Sequence, residues 1–207
     1  MKKLFAIILS IILITSCSKT EEQKKLSVET KSSAAATTSK QTNRYGIKSG
    51  YILYSAPMKT TQTLYFDNYG AQEVFTTEID VGVAKVKNIE IRKDGFVYKY
   101  EEGKNSGTKS RWYGSANVDY SNADSKMIER YKIKGLGTET ILGKPCKKYS
   151  AEVGGAPMLT WSWNNLMIKS SGKIAGVDMT ITATKIEEGP VDSKIFEVPK
   201  NVTFSEM

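Results

Sequence analysis

Hydrophobic and polar residues alternate along most of the chain after residue 44, in short runs separated by turn-forming residues. The clearest case is positions 89–100, where isoleucines alternate with charged residues before Asp94 and Gly95, and aromatic residues alternate after them. An Asp-Gly pair between alternating runs is typical of a type I′ hairpin turn. The pattern predicts a β-hairpin, and the aromatic residues that would share one of its faces are Phe96, Tyr98 and Tyr100.

The other runs predict further strands. Before this hairpin, runs at 51–54, 63–66 and 73–79 surround a turn cluster at 67–70. Positions 101–109 are rich in Gly, Asn and Ser and are interpreted as a loop, after which a strand is predicted to restart at 110–113. The last third of the chain predicts strands at 146–153, 158–163, 166–170 and 177–186.

One segment has helical rather than strand periodicity. Apolar residues lie at helical spacing between residues 121 and 131, and Ser121 or Asn122 could cap the N-terminus. Gly135 and Gly137 follow, and they predict a C-terminal stop and a bend. The chain is therefore expected to contain one helix among many strands.

This balance of elements predicts a mainly-β fold, a long antiparallel meander with one or two short helices. The alternation of apolar residues with threonines at 177–186 indicates a sheet with one dry face and one wet face. One short helix is too small to cover the apolar side of so broad a sheet. We expect the sheet either to curl on itself or to hold something apolar.

The N-terminus has the features of an export signal. Lys2 and Lys3 precede an apolar run of about ten residues, which as a helix would cover only about half of a bilayer core. The sequence Ile14-Thr15-Ser16-Cys17 ends this run and resembles the lipobox of bacterial lipoproteins. The resemblance implies that residues 1–16 are removed and that Cys17 is acylated and becomes the new N-terminus.

Residues 17–44 are expected to form the lipidated N-terminus and a disordered tether. The segment has no aromatic residue before residue 45 and few aliphatic ones, so it cannot bury enough apolar area to order itself. A coil of this length reaches about 30 Å. Residues 45–207 are then expected to form a single curved-sheet domain.

Charge and residue usage narrow the possible functions. The formal charge of +8 falls by two when Lys2 and Lys3 are removed, and an exported basic protein meets anionic lipids and glycans rather than nucleic acid. The chain has no histidine, the commonest metal ligand and the usual base of a nucleophile. Carboxylate pairs such as Glu101-Glu102 are adjacent in sequence, although folding could bring distant carboxylates together. We predict no enzyme, no metal and no cofactor.

Cys146 allows two interpretations. Neighbouring lysines would favour a reactive thiolate, but no base or second cysteine accompanies it once Cys17 is acylated. A cysteine on a strand is more often a small core residue, which is the interpretation that we favour.

The aromatic and aliphatic faces of the predicted strands could line a concave apolar pocket. Alternatively, these side chains could simply fill the core. The candidate ligand-binding residues are Trp161, Trp163, Phe96, Tyr98, Met179 and Ile181.

The last third of the chain also resembles a known group of proteins. The run from Gly137 through Gly143-Lys144-Pro145-Cys146, the Trp161-x-Trp163 strand and the segment 191–199 are similar to an uncharacterised exported family. That family is grouped with outer-membrane lipoprotein carriers of the LolA/LolB type. The resemblance implies a half-open barrel, a strongly curved antiparallel sheet whose concave side holds acyl chains.

Together these observations predict a lipid-anchored protein of the cell envelope, at the outer membrane, that binds a lipid or an acyl chain. The alternative is a structural or interaction lipoprotein whose core is filled and whose basic outer face contacts protein or anionic glycan.

Overall fold

Twelve strands hydrogen-bond into a single sheet in this computed structural model, which describes residues 43–112, 120, 123–174 and 176–207. The strands are β1 (Gly50–Ala56), β2 (Thr60–Asp67), β3 (Gln72–Asp80), β4 (Lys85–Lys93), β5 (Phe96–Glu101), β6 (Ser106–Arg111), β7 (Lys134–Ile141), β8 (Lys144–Val153), β9 (Ala156–Trp163), β10 (Leu166–Ile174), β11 (Val177–Glu188) and β12 (Thr203–Glu206). The helix α1 spans Ser125–Tyr131, and 3-10 turns lie at Asn68–Gly70 and Ser193–Phe196.

The sheet has the order β12-β6-β5-β4-β3-β2-β1-β11-β10-β9-β8-β7. Neighbouring strands are antiparallel except β12, which pairs with β6 in parallel. The predicted mainly-β, antiparallel fold with minor helix is thus confirmed. The predicted hairpin at 89–100 is also confirmed, because Asp94 and Gly95 both have the positive φ angles that a type I′ turn requires.

The sheet is strongly curved, as backbone hydrogen bonds at one of its ends show. The Tyr45 N–H donates to the carbonyl of Tyr69 in the β2–β3 turn, and the Gly46 N–H donates to the carbonyl of Asn164 in the β9–β10 turn. Four strands separate these turns, which would place them about 19 Å apart in a flat sheet. Tyr45 and Gly46 are consecutive residues, so their Cα atoms are only about 3.8 Å apart. The sheet must therefore bend to bring the two turns to which they bond together. We call residues 44–48 the strap.

Apolar side chains pack on both faces of the sheet. On one face, Ile52, Leu64 and Phe66 form a core with Tyr45 of the strap, and residues of β8, β9 and β10 join it. On the other face, Val74 and Ile91 form a second core beneath Phe196. The segment that connects β11 to β12 therefore covers this second face.

The helix begins later than the sequence indicated. Its N-cap is Asp124, whose side chain accepts a hydrogen bond from the Met127 N–H at 2.8 Å. The predicted caps, Ser121 and Asn122, lie outside the described residues. The helix ends at Lys132, which adopts the left-handed conformation with a φ of 48°.

Two predictions about irregular segments need correction. Gly135 and Gly137 do not stop the helix but lie within β7, an exposed edge strand that buries too little to show apolar alternation. The irregularity predicted at these glycines lies inside that strand, where the pairing with β8 shifts between Gly135 and Thr138 and Gly137 has a φ of 89°. Positions 101–109 are not all loop, because β6 starts at Ser106. Its sequence has no apolar residue, and it is held by backbone pairing to β5 and β12.

None of the helices in the described residues is both long and apolar enough to cross a membrane.

Candidate functional site

A groove of about 500 Å³ lies on the face of β3, β4, β5 and β6. Phe75, Glu90, Lys99 and Thr108 stand opposite one another across these four strands, so their side chains share one face. A second row continues the same face with Thr77, Asn88, Glu101 and Ser106. We call this site the β3–β6 groove.

The groove joins an apolar floor to a polar rim. Phe75 is half-buried and packs against the core that contains Leu64, the residue opposite it on β2. Beyond Phe75, the lining changes to the charged side chains of Glu90 and Lys99 and to hydroxyl groups. Such a gradient suits an amphiphile, with hydrocarbon at the floor and a polar group at the rim.

Glu90 remains ionised at the centre of this lining. Burial alone would raise its pKa, but hydrogen bonds and charges from Lys99 and Arg92 outweigh burial and lower the pKa below its ordinary value. The Lys99 Nζ lies 3.0 Å from Glu90 Oε2, and the Arg92 Nε donates to Glu90 Oε1 at 2.6 Å. The groove therefore contains an ion pair whose lysine is more than half exposed.

The same ion pair continues into the protein to a buried carboxylate. Glu73 is 0% exposed, and its Oε2 accepts a hydrogen bond from Arg92 at 2.9 Å. Its Oε1 is bound by the guanidinium of Arg44 in the strap. A line of alternating charges thus runs from Lys99 in the groove to Arg44 at the end of the sheet where the chain enters the fold.

Tyr45 also stabilises this carboxylate. Burial, followed by the charge of Glu73, raises the pKa of Tyr45 well above its ordinary value, so the phenol stays protonated. The Tyr45 ring meets Phe66 edge-on with centroids 5.2 Å apart, and the Arg44 guanidinium lies 4.9 Å from the centre of the Tyr45 ring. The strap is therefore held by both polar and apolar contacts.

The two candidate tryptophans lie away from this groove, in the core of the first face. The Trp161 Nε1 donates to Glu139 at 2.7 Å, and the ammonium groups of Lys148 and Lys169 lie within 4.7 Å of its ring centre. Lys144 lies 4.3 Å from the ring centre of Trp163. Protein side chains thus already contact both indole rings.

Phe96 and Tyr98 lie on the second face, near the edge of the sheet. Tyr98 packs against the core formed by Val74, Ile91 and Phe196 and meets the ring of Phe204 edge-on. Phe96 has the ammonium of Lys109 4.2 Å from its ring centre. Neither residue lines the β3–β6 groove.

The two aliphatic candidates are half-buried on β11. Ile181 packs against the core that contains the tryptophans, and Met179 stands opposite Gly172 of β10. Trp161, Trp163 and Ile181 thus lie in or against the first core, whereas Phe96 and Tyr98 are neighbours on the second face.

Cys146 is buried, as we expected of a core residue. Burial raises the pKa of its thiol, which keeps the thiol neutral despite the nearby lysines.

The groove residues could not be chosen from sequence because their signal is weak. Phe75 lies in a run of mixed character, and Lys99 is one polar residue between two tyrosines. Ser106 and Thr108 belong to the segment interpreted as a loop. Only the register of four strands brings these residues together.

Comparison with known proteins supports the fold. No protein-family model matches the chain, and no curated protein matches it. A solved structure of an uncharacterised conserved protein from Thermus thermophilus matches with a TM-score of 0.53 at 10% identity, over 77% of this chain and 91% of that one. At this identity the likeness concerns the fold alone.

Weaker similarities extend to proteins of other kinds. PNGF-II matches at 16% identity with a TM-score of 0.48, over 77% of this chain, which spans about a third (32%) of the PNGF-II chain. The lipoprotein LppX of Mycobacterium tuberculosis matches at 12% identity with a TM-score of 0.39, over 71% of this chain and 90% of that one. At such scores neither similarity indicates a function.

The buried carboxylate gives a direct test of the site's framework. Glu73→Gln leaves two guanidinium groups facing a neutral amide, so we expect unfolding in urea to become easier by about 3–5 kcal/mol. Glu78→Gln on the same strand is the control, because Glu78 forms an exposed pair with Lys85 and should cost about 1 kcal/mol or less. Equal losses for both variants would contradict a structural role for the buried network.

Proposed function

We propose that this protein is a lipid-anchored envelope protein that binds an amphiphile, such as a lipid or a lipoprotein acyl chain, in the β3–β6 groove. The observation that carries the proposal is the groove itself, whose volume of about 500 Å³ is ordinary for a small-molecule site. Its apolar floor is continuous with the core, and its rim carries one exposed ammonium.

Binding would work by burial and by charge. A hydrocarbon chain lying on Phe75 gains about 25 cal/mol for each Å² of apolar surface that it removes from water. An anionic head group can compete with Glu90 for Lys99, while Ser106 and Thr108 supply hydroxyl donors. The proposal needs no catalytic group, and binding alone is what we assign to the site.

The anchor belongs to the same proposal. The charged and apolar N-terminus followed by Cys17 supports export and acylation, and two or three long acyl chains hold a protein durably on a membrane. We place the protein at the outer membrane, with its folded part held on a tether of about 30 Å reach.

A second candidate function is an interaction module with a filled core. It is favoured by the complete burial of Ile52, Phe66, Cys146 and Ile168 and by the lysines that cover Trp161. Its basic face is less available than the sequence suggested, because Lys144 pairs with Glu188 and Lys148 with Glu139.

Filling the groove separates these functions. Thr108→Trp places an indole in the β3–β6 groove without altering the buried cores, so we expect it to lower the affinity for a fluorescent long-chain fatty acid at least about tenfold. Lys99→Gln removes the ammonium that would donate to the carboxylate of the fatty acid, so it should lower the affinity by a similar factor.

The matched control is Thr61→Trp, an exposed threonine of β2 outside the groove. It should leave the fatty-acid affinity unchanged. All three variants should still unfold in one cooperative transition. Unchanged binding by Thr108→Trp would contradict the groove as the binding site, and the absence of binding by the parent chain would favour the interaction module.

The anchor is tested in the bacterial envelope. Cys17→Ser removes the acceptor of the lipid, so we expect a soluble or unprocessed form in place of the membrane-bound one. Fractionation followed by mass analysis of the N-terminus measures both outcomes. A Cys146→Ser variant is the control and should remain membrane-bound; equal retention of the Cys17→Ser form in a processed state would contradict the proposal.

A further inference from the structure

Exposed apolar side chains concentrate at one end of the sheet. Among the described residues, five of the nine exposed large hydrophobic side chains lie in or beside hairpin turns at this end, and the other four are Ile128, Leu136, Leu142 and Met207. Val83 is 97% exposed, Met58 is 77% exposed and Val177 is 61% exposed. Single exposed apolar side chains are common on protein surfaces, but here they recur in four turns at the same end of one sheet.

The topology explains why residues far apart in sequence meet there. Antiparallel hairpins alternate between the two ends of a sheet, so the β1–β2, β3–β4, β5–β6, β8–β9 and β10–β11 turns share one end. All of these turns except β5–β6, which has no large apolar residue, carry at least one exposed apolar side chain. We call this set the apolar rim, and its residues are Met58, Val81, Val83, Val153 and Val177.

The shape of the apolar rim favours a soft, extended partner. Successive hairpin turns at one end of a sheet are separated by two strand spacings, about 10 Å. The rim is therefore a row of separate tips along a curved edge, not a groove that would receive a peptide or a helix. Tips of this kind can each enter a fluid apolar layer without matching one another in shape.

Charges of both signs lie beside the tips, since Asp80 precedes Val81 and Asp178 follows Val177, and the lysines among them can reach a lipid head-group layer. Lys59 follows Met58, Lys85 lies close to Val83, and Lys173 lies on the strand that leads to Val177. Their long stems can lie along apolar surface while the ammonium groups remain in the polar layer. Lys85 pairs with Glu78 and Lys173 with Asp178, and exposed pairs of this kind contribute little energy. Apolar insertion should therefore dominate over attraction to anionic lipid.

The path of the chain permits such contact. The strap enters the fold at the end opposite the rim, beside the β2–β3 and β9–β10 turns. The expected tether reach of about 30 Å is comparable with the height of the sheet, since an eight-residue strand such as β2 spans about 27 Å. The reach of the tether is the one step that rests on the anchor proposed above. The affinity of the apolar rim for lipid is independent of that anchor.

We propose that the apolar rim is a bilayer-docking surface, by which the folded part of the protein rests on a lipid surface independently of its acyl anchor. Met58, Val83 and Val177 enter the outer edge of the acyl layer, and the adjacent lysines contact the head groups. The end of the sheet that the strap closes then points away from this surface.

The experiment uses the chain from residue 17 with Cys17→Ser, so that neither signal nor acyl chain contributes. All described strands lie in one compact unit, Gln41–Met207, so this chain retains the whole fold. Its binding to vesicles of phosphatidylethanolamine and phosphatidylglycerol is measured by co-sedimentation at low and at high salt. We expect binding that high salt weakens only slightly.

The decisive variant combines Met58→Ser, Val83→Ser and Val177→Ser. These side chains are exposed, so the variant should fold normally and lose at least about tenfold in vesicle affinity. The control combines Leu142→Ser with Met207→Ser, which are exposed but lie outside the rim, and should bind as the parent does.

A second measurement identifies the inserting side chain. Val83→Trp should show a blue-shifted emission on adding vesicles, whereas Leu142→Trp should not. Equal binding by the rim variant and the parent, or no binding by the parent, would overturn the proposal. Thr108→Trp should still bind vesicles, so loss of groove binding and loss of docking can be told apart.

Discussion

A carboxylate with no exposure to water, held between two guanidinium groups, joins the beginning of the fold to the middle of its sheet. Glu73 lies on β3, Arg92 on β4 and Arg44 on the strap, so the network fixes the strap against the sheet. An unpaired charge at this depth would be too costly to bury, and the fold therefore requires both partners. Because the strap also joins the β2–β3 and β9–β10 turns, the same contacts maintain the curvature.

Curvature decides what the two faces of the sheet can do. One face closes around Tyr45, Ile52 and Phe66, and the other is covered by the segment that carries Phe196. From β3 to β6 the side chains on the first face change from apolar to polar, and the β3–β6 groove lies where they change. The ion pair of Glu90 and Lys99 in the groove is continuous with the buried network, so the polar side of the β3–β6 groove is held by the same contacts as the fold.

The sequence predicted the parts of this structure that depend on local alternation. The Asp94-Gly95 hairpin and the strands of the last third follow from periodicity and turn residues, and Cys146 in the core follows from its place on a strand. Strand β7 was missed, and β6 was predicted to start at Ser110 rather than Ser106, because both strands gain stability from backbone pairing and bury few apolar side chains. The groove was missed for a related reason, since strand register, which brings Phe75, Lys99 and Thr108 together, leaves no mark in any one segment.

The central claim is that the curved sheet holds an amphiphile. Native mass spectrometry tests it most directly, on the chain from residue 17 with Cys17→Ser after incubation with a bacterial lipid extract and without detergent. We predict one bound lipid or fatty acid per chain, retained through buffer exchange and released by organic solvent. A mass of the protein alone, from a sample that unfolds in one cooperative transition, would contradict the claim and show that the groove binds no lipid.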